Sequence, residues 1–189
     1  PITGIMNLCV GQTTTLGEAT PGGTWSSTNP GVAYIDATTG LVTGISAGTA
    51  TIINTLGTGC NTTVTFTVYG VPGPISGPSS VCTGQSIPLS NSVAGGVWSS
   101  GNNLVATIST TGVVTGVSSG TVLIFYTLGT GCNAVSTVII NPVAPISGPA
   151  TVCQYQSITL SDTTMGGTWA SSAVTVATVV ATGDTTALV

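Results

Sequence analysis

The sequence predicts an all-β chain built of tandem β-sandwich repeats. Three observations predict it. Valine, isoleucine and threonine dominate, and these residues fit pleated, half-buried surfaces. The chain is self-similar, with a period of 73 and then 71 residues. No segment shows a sustained helical period with caps at its ends. The 189 residues also include 27 glycines and 10 prolines, which suits many tight turns.

The repeat is legible block by block. Pro1-Ile2-Thr3-Gly4 returns as Pro74-Ile75-Ser76-Gly77 and as Pro145-Ile146-Ser147-Gly148. Each opening leads to a cysteine: Cys9, Cys82 and Cys153. A Gly-Gly-x-Trp block follows at Gly22–Trp25, Gly95–Trp98 and Gly166–Trp169. Val32–Ile35 is matched by Val105–Ile108 and Val176–Val179, and Leu41–Gly44 by Val113–Gly116. Thr55–Asn61 recurs as Thr127–Asn133, with Leu-Gly-Thr-Gly-Cys in both. The units are therefore 1–73, 74–144 and a truncated 145–189. With no initiator methionine and an opening at a repeat boundary, we expect a mature fragment of a longer array.

Within a unit, Val64, Phe66 and Val68 alternate with threonines, the pattern of a half-buried strand. Thr121–Tyr126 is more continuously apolar and suits an inner strand. Gly57–Gly59 and Gly129–Gly131 lie between such runs and read as hairpin turns. The Pro/Gly-rich junctions 70–74 and 141–145 are short and semi-rigid, so the units should form a rod.

Charge is nearly absent. There is no lysine, arginine or histidine, and the acids are Glu18, Asp36, Asp162 and Asp184, for a net charge of −4. Nucleic acid is excluded as a partner, because phosphates need cationic side chains. Docking on anionic membranes needs the same residues. No apolar run approaches the length of a membrane-spanning helix. Low charge also leaves little repulsion against self-association.

The five cysteines are regularly placed. Their spacing predicts structural disulfides within each repeat, Cys9 with Cys60 and Cys82 with Cys132, in an oxidising compartment. Cys153 is left without a mate by truncation of its unit; a reactive thiol or an interchain bridge is the alternative. A unit of this size buries a marginal core. Closing a loop of about 50 residues stabilises by roughly 4 kcal/mol in the chain-entropy model, so reduction should lower the melting temperature. Trp25, Trp98 and Trp169 are expected in the core near the bridge, as in other sandwiches; stacking on a sugar is the alternative.

Trp25–Ala33, followed by Gly40–Ile52, resembles the bacterial Ig-like domain of group 2, with its W-S-S-x-N…V-A and G-x-V-T-G-x-S-A-G-T-A signatures. The resemblance covers both full units and the start of the third, and implies immunoglobulin-like sandwiches. It is found in surface adhesins, invasin-like and intimin-like stalks and large secreted repeat proteins. The Pro-Ile-Ser-Gly-Pro…Val-Cys opening resembles repeats of long secreted proteins in gliding, Bacteroidetes-type bacteria. Asp162-Thr163-Thr164 and Asp184-Thr185-Thr186 resemble the O-glycosylation pattern of such proteins, making Thr163 and Thr185 candidate acceptors. Asn61-Thr62-Thr63 is an N-glycosylation sequon.

Catalytic readings are weak. Gly44–Gly48 and Gly116–Gly120 match G-x-S-x-G, but the nucleophile needs a base and the chain has no histidine or lysine. Gly129–Ala134 matches a degenerate dinucleotide fingerprint, yet a strand rather than a helix should follow. The acids do not recur between repeats, which argues against paired-carboxylate chemistry and calcium. We expect no enzyme, no cofactor and no metal. The expected function is a structural module of an extracellular fibre, partnered by its own neighbours. The alternative is the stalk of a surface adhesin or carbohydrate-binding protein whose binding domain lies outside the chain, with a cell-surface or glycan ligand.

Overall fold

The computed structural model describes residues 1–165 and 167–189; Gly166, first glycine of the third Gly-Gly-x-Trp block, lies outside them. The first unit contains β1 (Ile2–Thr3), β2 (Asn7–Cys9), β3 (Thr13–Thr15), β4 (Gly17–Glu18), β5 (Thr24–Ser27), β6 (Ala33–Ile35), β7 (Leu41–Gly44), β8 (Gly48–Thr55) and β9 (Asn61–Tyr69). One sheet has the order β2-β9-β8-β5, the other β3-β7-β6, and β1 pairs with β4. Strand β2 joins β9 in parallel.

The second unit repeats this plan with β10 (Ser80–Cys82), β11 (Ser86–Pro88), β12 (Val97–Ser100), β13 (Ala106–Ile108), β14 (Val113–Gly116), β15 (Gly120–Thr127) and β16 (Asn133–Asn141). Its sheets run β10-β16-β15-β12 and β11-β14-β13, with β10 parallel to β16. The fold is all-β and immunoglobulin-like, with one sandwich in each of the first two units.

The third unit has β17 (Thr159–Ser161), β18 (Val180–Ala181) and β19 (Thr186–Leu188) in the order β17-β19-β18. This corresponds to the smaller sheet of the units before it. Strand pairing falls at Val180–Ala181 rather than at the expected Val176–Val179. The turn before it is kept: Val176 and Ala177 donate to the Ala173 carbonyl as Val105 and Ala106 donate to that of Asn102.

Each complete unit closes its own core. Leu8, Leu16, Trp25, Val42, Ile52, Phe66 and Val68 are buried in the first; Val81, Leu89, Val114, Ile124, Val138 and Ile140 in the second. The cores differ by paired exchanges across the ladder. Ala50 faces Phe66 in one unit, while Val122 faces Val138 in the other. Leu8 faces Val68, while Val81 faces Ile140. Each exchange roughly conserves the volume of the pair, the change a close-packed interior tolerates best.

The Thr121–Tyr126 run corrects its expectation as a wholly inner strand. Val122, Ile124 and Tyr126 point inward, but Leu123 is 46% exposed on the outer face. Val97, Val135 and Ile139 share that face at 68%, 49% and 49% exposure. The equivalent positions of the first unit are Thr51, Thr24, Thr63 and Thr67.

Candidate functional site: the junction between repeats

The opening cysteine of each unit sits on a turn that the sequence writes as Cys-x-Gly-Gln twice. The Gln12 N–H donates to the Cys9 carbonyl at 3.0 Å, as Gln85 does to Cys82 and Gln156 to Cys153. The turn needs a left-handed residue. Gly11 and Gly84 supply it at φ 83° and 81°, where glycine has no steric penalty. Tyr155 holds it at φ 65° in the third unit. The Gln12 side chain returns to accept from the Cys9 N–H at 3.2 Å.

The second cysteine caps a hairpin at the far end of the unit. Leu56 donates to the Cys60 carbonyl and Gly59 to that of Leu56; Leu128, Cys132 and Gly131 repeat both bonds. Gly59 and Gly131 both have φ 87°.

These placements overturn the expected pairing within repeats. Cys9 lies beside Tyr69 at the end of β9, whereas Cys60 immediately precedes Asn61 at its start. At ~3.3 Å per residue the two are roughly 30 Å apart. A disulfide needs Cα atoms within about 7 Å. Cys82 beside Asn141 and Cys132 before Asn133 are separated in the same way. The bridge instead joins Cys9 to Cys132, across the junction, with Cα atoms 5.7 Å apart. Cys60, Cys82 and Cys153 are free thiols. Cys132 is only 1% exposed, because the first unit covers it. A groove of about 280 Å³ beside the bridge is lined by Asn7, Cys9, Gln12, Tyr69, Thr130 and Gly131. The repeated spacing of the cysteines was legible in the sequence, but the partner depended on which end of the sandwich each one occupies.

A hydrogen bond crosses each junction: Asn91 Nδ2 donates to the Gly73 carbonyl at 2.6 Å, and Ala144 N–H donates to Thr164 Oγ1 at 3.2 Å. Just inside the second and third units the opening segment is held by equivalent backbone bridges, Ser76 with Ser90 and Ser147 with Ser161.

The remaining candidates are structural in geometry. Trp25 is buried and Trp98 and Trp169 are half-buried. Trp25 faces Asn54 near the hairpin end, the corner of the sheet opposite Cys9. Trp98 packs on Tyr126 with ring centroids 4.7 Å apart. Tyr126 Oη donates to the Val93 carbonyl at 2.7 Å and accepts from the Gly96 N–H at 2.9 Å. A Cβ at Gly96 would collide with that ring, and one at Gly23 with the Asn54 side chain, which explains the second glycine of the block. The G-x-S-x-G serines are turn donors: Ser46 to Gly31 O at 2.7 Å, Ser118 to Leu104 O at 2.6 Å. The Gly129–Ala134 segment leads into strand β16. Thr163 is exposed and Thr185 half-buried. Thr62 of the sequon donates to Glu18 at 2.8 Å.

Asp36 caps a turn. Its carboxylate accepts from the N–H and hydroxyl of Thr39, both at 2.8 Å, and from those of Thr38. These bonds, the Thr39 N–H foremost, hold the carboxyl well below the usual carboxylate range. Among the described residues no cluster of histidine, cysteine, aspartate or glutamate could hold a metal ion, and no helix is long and apolar enough to cross a membrane.

Residues 9–68 match the family model of the bacterial Ig-like domain (group 2). No curated protein matches the chain. An intimin mutant from EHEC O157:H7 is similar over 38% of this chain and 40% of its own length, at 26% identity and TM-score 0.31. This chain thus spans well under two thirds of that protein. Domains 4 and 5 of the S-layer protein SbsC are similar over 64% of this chain and 71% of theirs, at 27% identity and TM-score 0.27. A C-terminal fragment of intimin, solved with the intimin-binding domain of its translocated receptor, covers 68% of this chain and 54% of itself at 16% identity and TM-score 0.41.

Proposed function

We propose that this chain, whose first repeat is a bacterial Ig-like domain of group 2, is a non-enzymatic structural module of an extracellular fibre. The observation that carries this reading is the Cys9–Cys132 bridge between units. A disulfide inside a sandwich stiffens that sandwich. One between sandwiches resists bending and extension of the rod. Such a bond persists in an oxidising, extracellular compartment.

Lateral association has a surface to use. Val97, Leu123, Val135 and Ile139 present an apolar face, with almost no charge to repel a neighbour. The chemistry of catalysis has none: the elbow-like serines are committed to backbone carbonyls and the sequence has no histidine to activate them. A second reading, the stalk of a surface adhesin, is favoured by the threonine face of the first unit, which suits a rod standing alone in water. Electron microscopy of the native material at neutral pH separates the two. Ordered filaments of constant width support the fibre. Separate, unbundled rods would move the function to whatever the stalk carries.

A further inference from the structure

We infer that Cys82 is an open socket for the cysteine-tipped hairpin of a further unit of this kind, and that Cys60 is the matching plug for a unit before it, so that the bridge recurs at each junction. The parts are equivalent by position. Cys9 and Cys82 each end a strand that pairs in parallel with the last strand of its unit, beside Tyr69 and Asn141 respectively. Each is followed by the same glycine turn. Cys60 and Cys132 end identical Leu-Gly-Thr-Gly-Cys hairpins with identical hydrogen bonds. One socket and one plug, Cys9 and Cys132, are already joined.

An independent observation is the space beside Cys82. A cavity of about 570 Å³ is lined by Cys82, Asn141, Pro142, Val143, Thr163 and Met165. It lies at the junction where the second and third units meet through the Ala144–Thr164 contact. At the preceding junction Thr130 and Gly131 of the hairpin line the groove beside Cys9 and Tyr69. The occupant that fits is thus a Gly-Thr-Gly-Cys tip. Closure oxidises two thiols to one disulfide. A small-molecule or protein disulfide takes the two electrons and two protons and leaves as two thiols.

The test uses the full chain and a synthetic heptapeptide of sequence Thr-Leu-Gly-Thr-Gly-Cys-Asn, its cysteine activated as a 2-thiopyridyl disulfide. The Cys82 thiolate attacks the peptide sulfur, the new S–S bond forms, and 2-thiopyridone leaves with the proton. Site-resolved rates from peptide mass mapping are divided by those for glutathione activated in the same way. We expect this ratio to be about tenfold higher at Cys82 than at Cys60, because the groove holds the tip against the thiol. Cys153 also borders a space, of about 540 Å³, but it is in no strand and lacks the parallel pairing that sets Cys82 beside Asn141, so it should behave like Cys60. Replacing both peptide glycines by alanine should abolish the preference. Equal ratios at the three thiols, or a Cys82 preference that survives the alanine peptide, would overturn the inference.

Discussion

The first two repeats share a topology strand for strand, yet they finish their surfaces and corners differently. The outer face of β8 and β9 carries Thr49 opposite Thr67 and Thr51 opposite Thr65. The same face of β15 and β16 carries Thr121 opposite Ile139, Leu123 opposite Thr137 and Phe125 opposite Val135. At the hairpin end, Trp98 has Tyr126 as a tilted, closely packed and twice hydrogen-bonded neighbour, where Trp25 has the buried Asn54. A pocket of about 60 Å³ lies beside Asn54. The difference teaches that inward positions are tightly coupled while outward ones are free to specialise, one repeat for water and the other for contact.

The largest test of that comparison is to uncouple the two units. Because Cys9 is held beside Tyr69, a folded first unit turns the bridge into a closed loop from Tyr69 to Cys132. An unfolded second unit is then restrained by its folded neighbour, and the converse holds for the first. Cys132→Ser should destabilise both by up to about 4 kcal/mol and separate their transitions in scanning calorimetry. Unchanged, independent transitions would mean that the bridge does not couple them.

Next comes the corner exchange. Asn54→Tyr should give the first unit the Trp–Tyr pair and its hydrogen bonds, raising stability by about 1–2 kcal/mol in denaturant titration. Tyr126→Phe should lower the second unit by a similar amount, since the Gly96 N–H and Val93 carbonyl lose their partner. If Asn54→Tyr destabilises, the two corners are not equivalent.

A smaller stability effect, within about 0.5 kcal/mol, is expected from Leu123→Thr with Val135→Thr, which gives the second unit the first unit's threonines at two of the four apolar outer positions. Sedimentation should show weaker self-association. Undiminished association would place the lateral contact elsewhere.

Acid is the subtlest probe. The Asp36 carboxyl is depressed in the folded state, so its contribution is complete above the ordinary carboxylate range near pH 4 and fades as pH falls through it toward the folded value. Position 109 of the second unit is a serine with no such titration. The first unit should therefore lose stability below about pH 4 relative to the second, and Asp36→Ser should shrink the difference, leaving the part due to Glu18, which the Pro1 ammonium and Thr62 also hold low.

Much of the fold was legible because its signals are local. Alternation placed Phe66 and Val68 inward, the Gly-Thr-Gly runs became hairpins, and the tryptophan block marked a strand in both complete units. The bridge was not legible, because cysteine spacing records distance along the chain, while pairing depends on which end of a nine-residue strand each cysteine occupies. The parallel pairing of β2 with β9 decides that, and no residue near Cys9 announces it. The apolar run at Thr121–Tyr126 misled for a related reason: apolar residues on both faces of a strand look the same whether the second face meets a core or solvent.

The exchanged pairs in the two cores bear on how such a chain avoids mistakes while being made. Near-identical neighbours invite a strand of one to dock in the ladder of the other. Here a hybrid would set Ala50 against Val138, leaving a hole, or Val122 against Phe66, overfilling the site. Two compensated substitutions thus serve as proofreading, rejecting the wrong strand before a disulfide can lock it in.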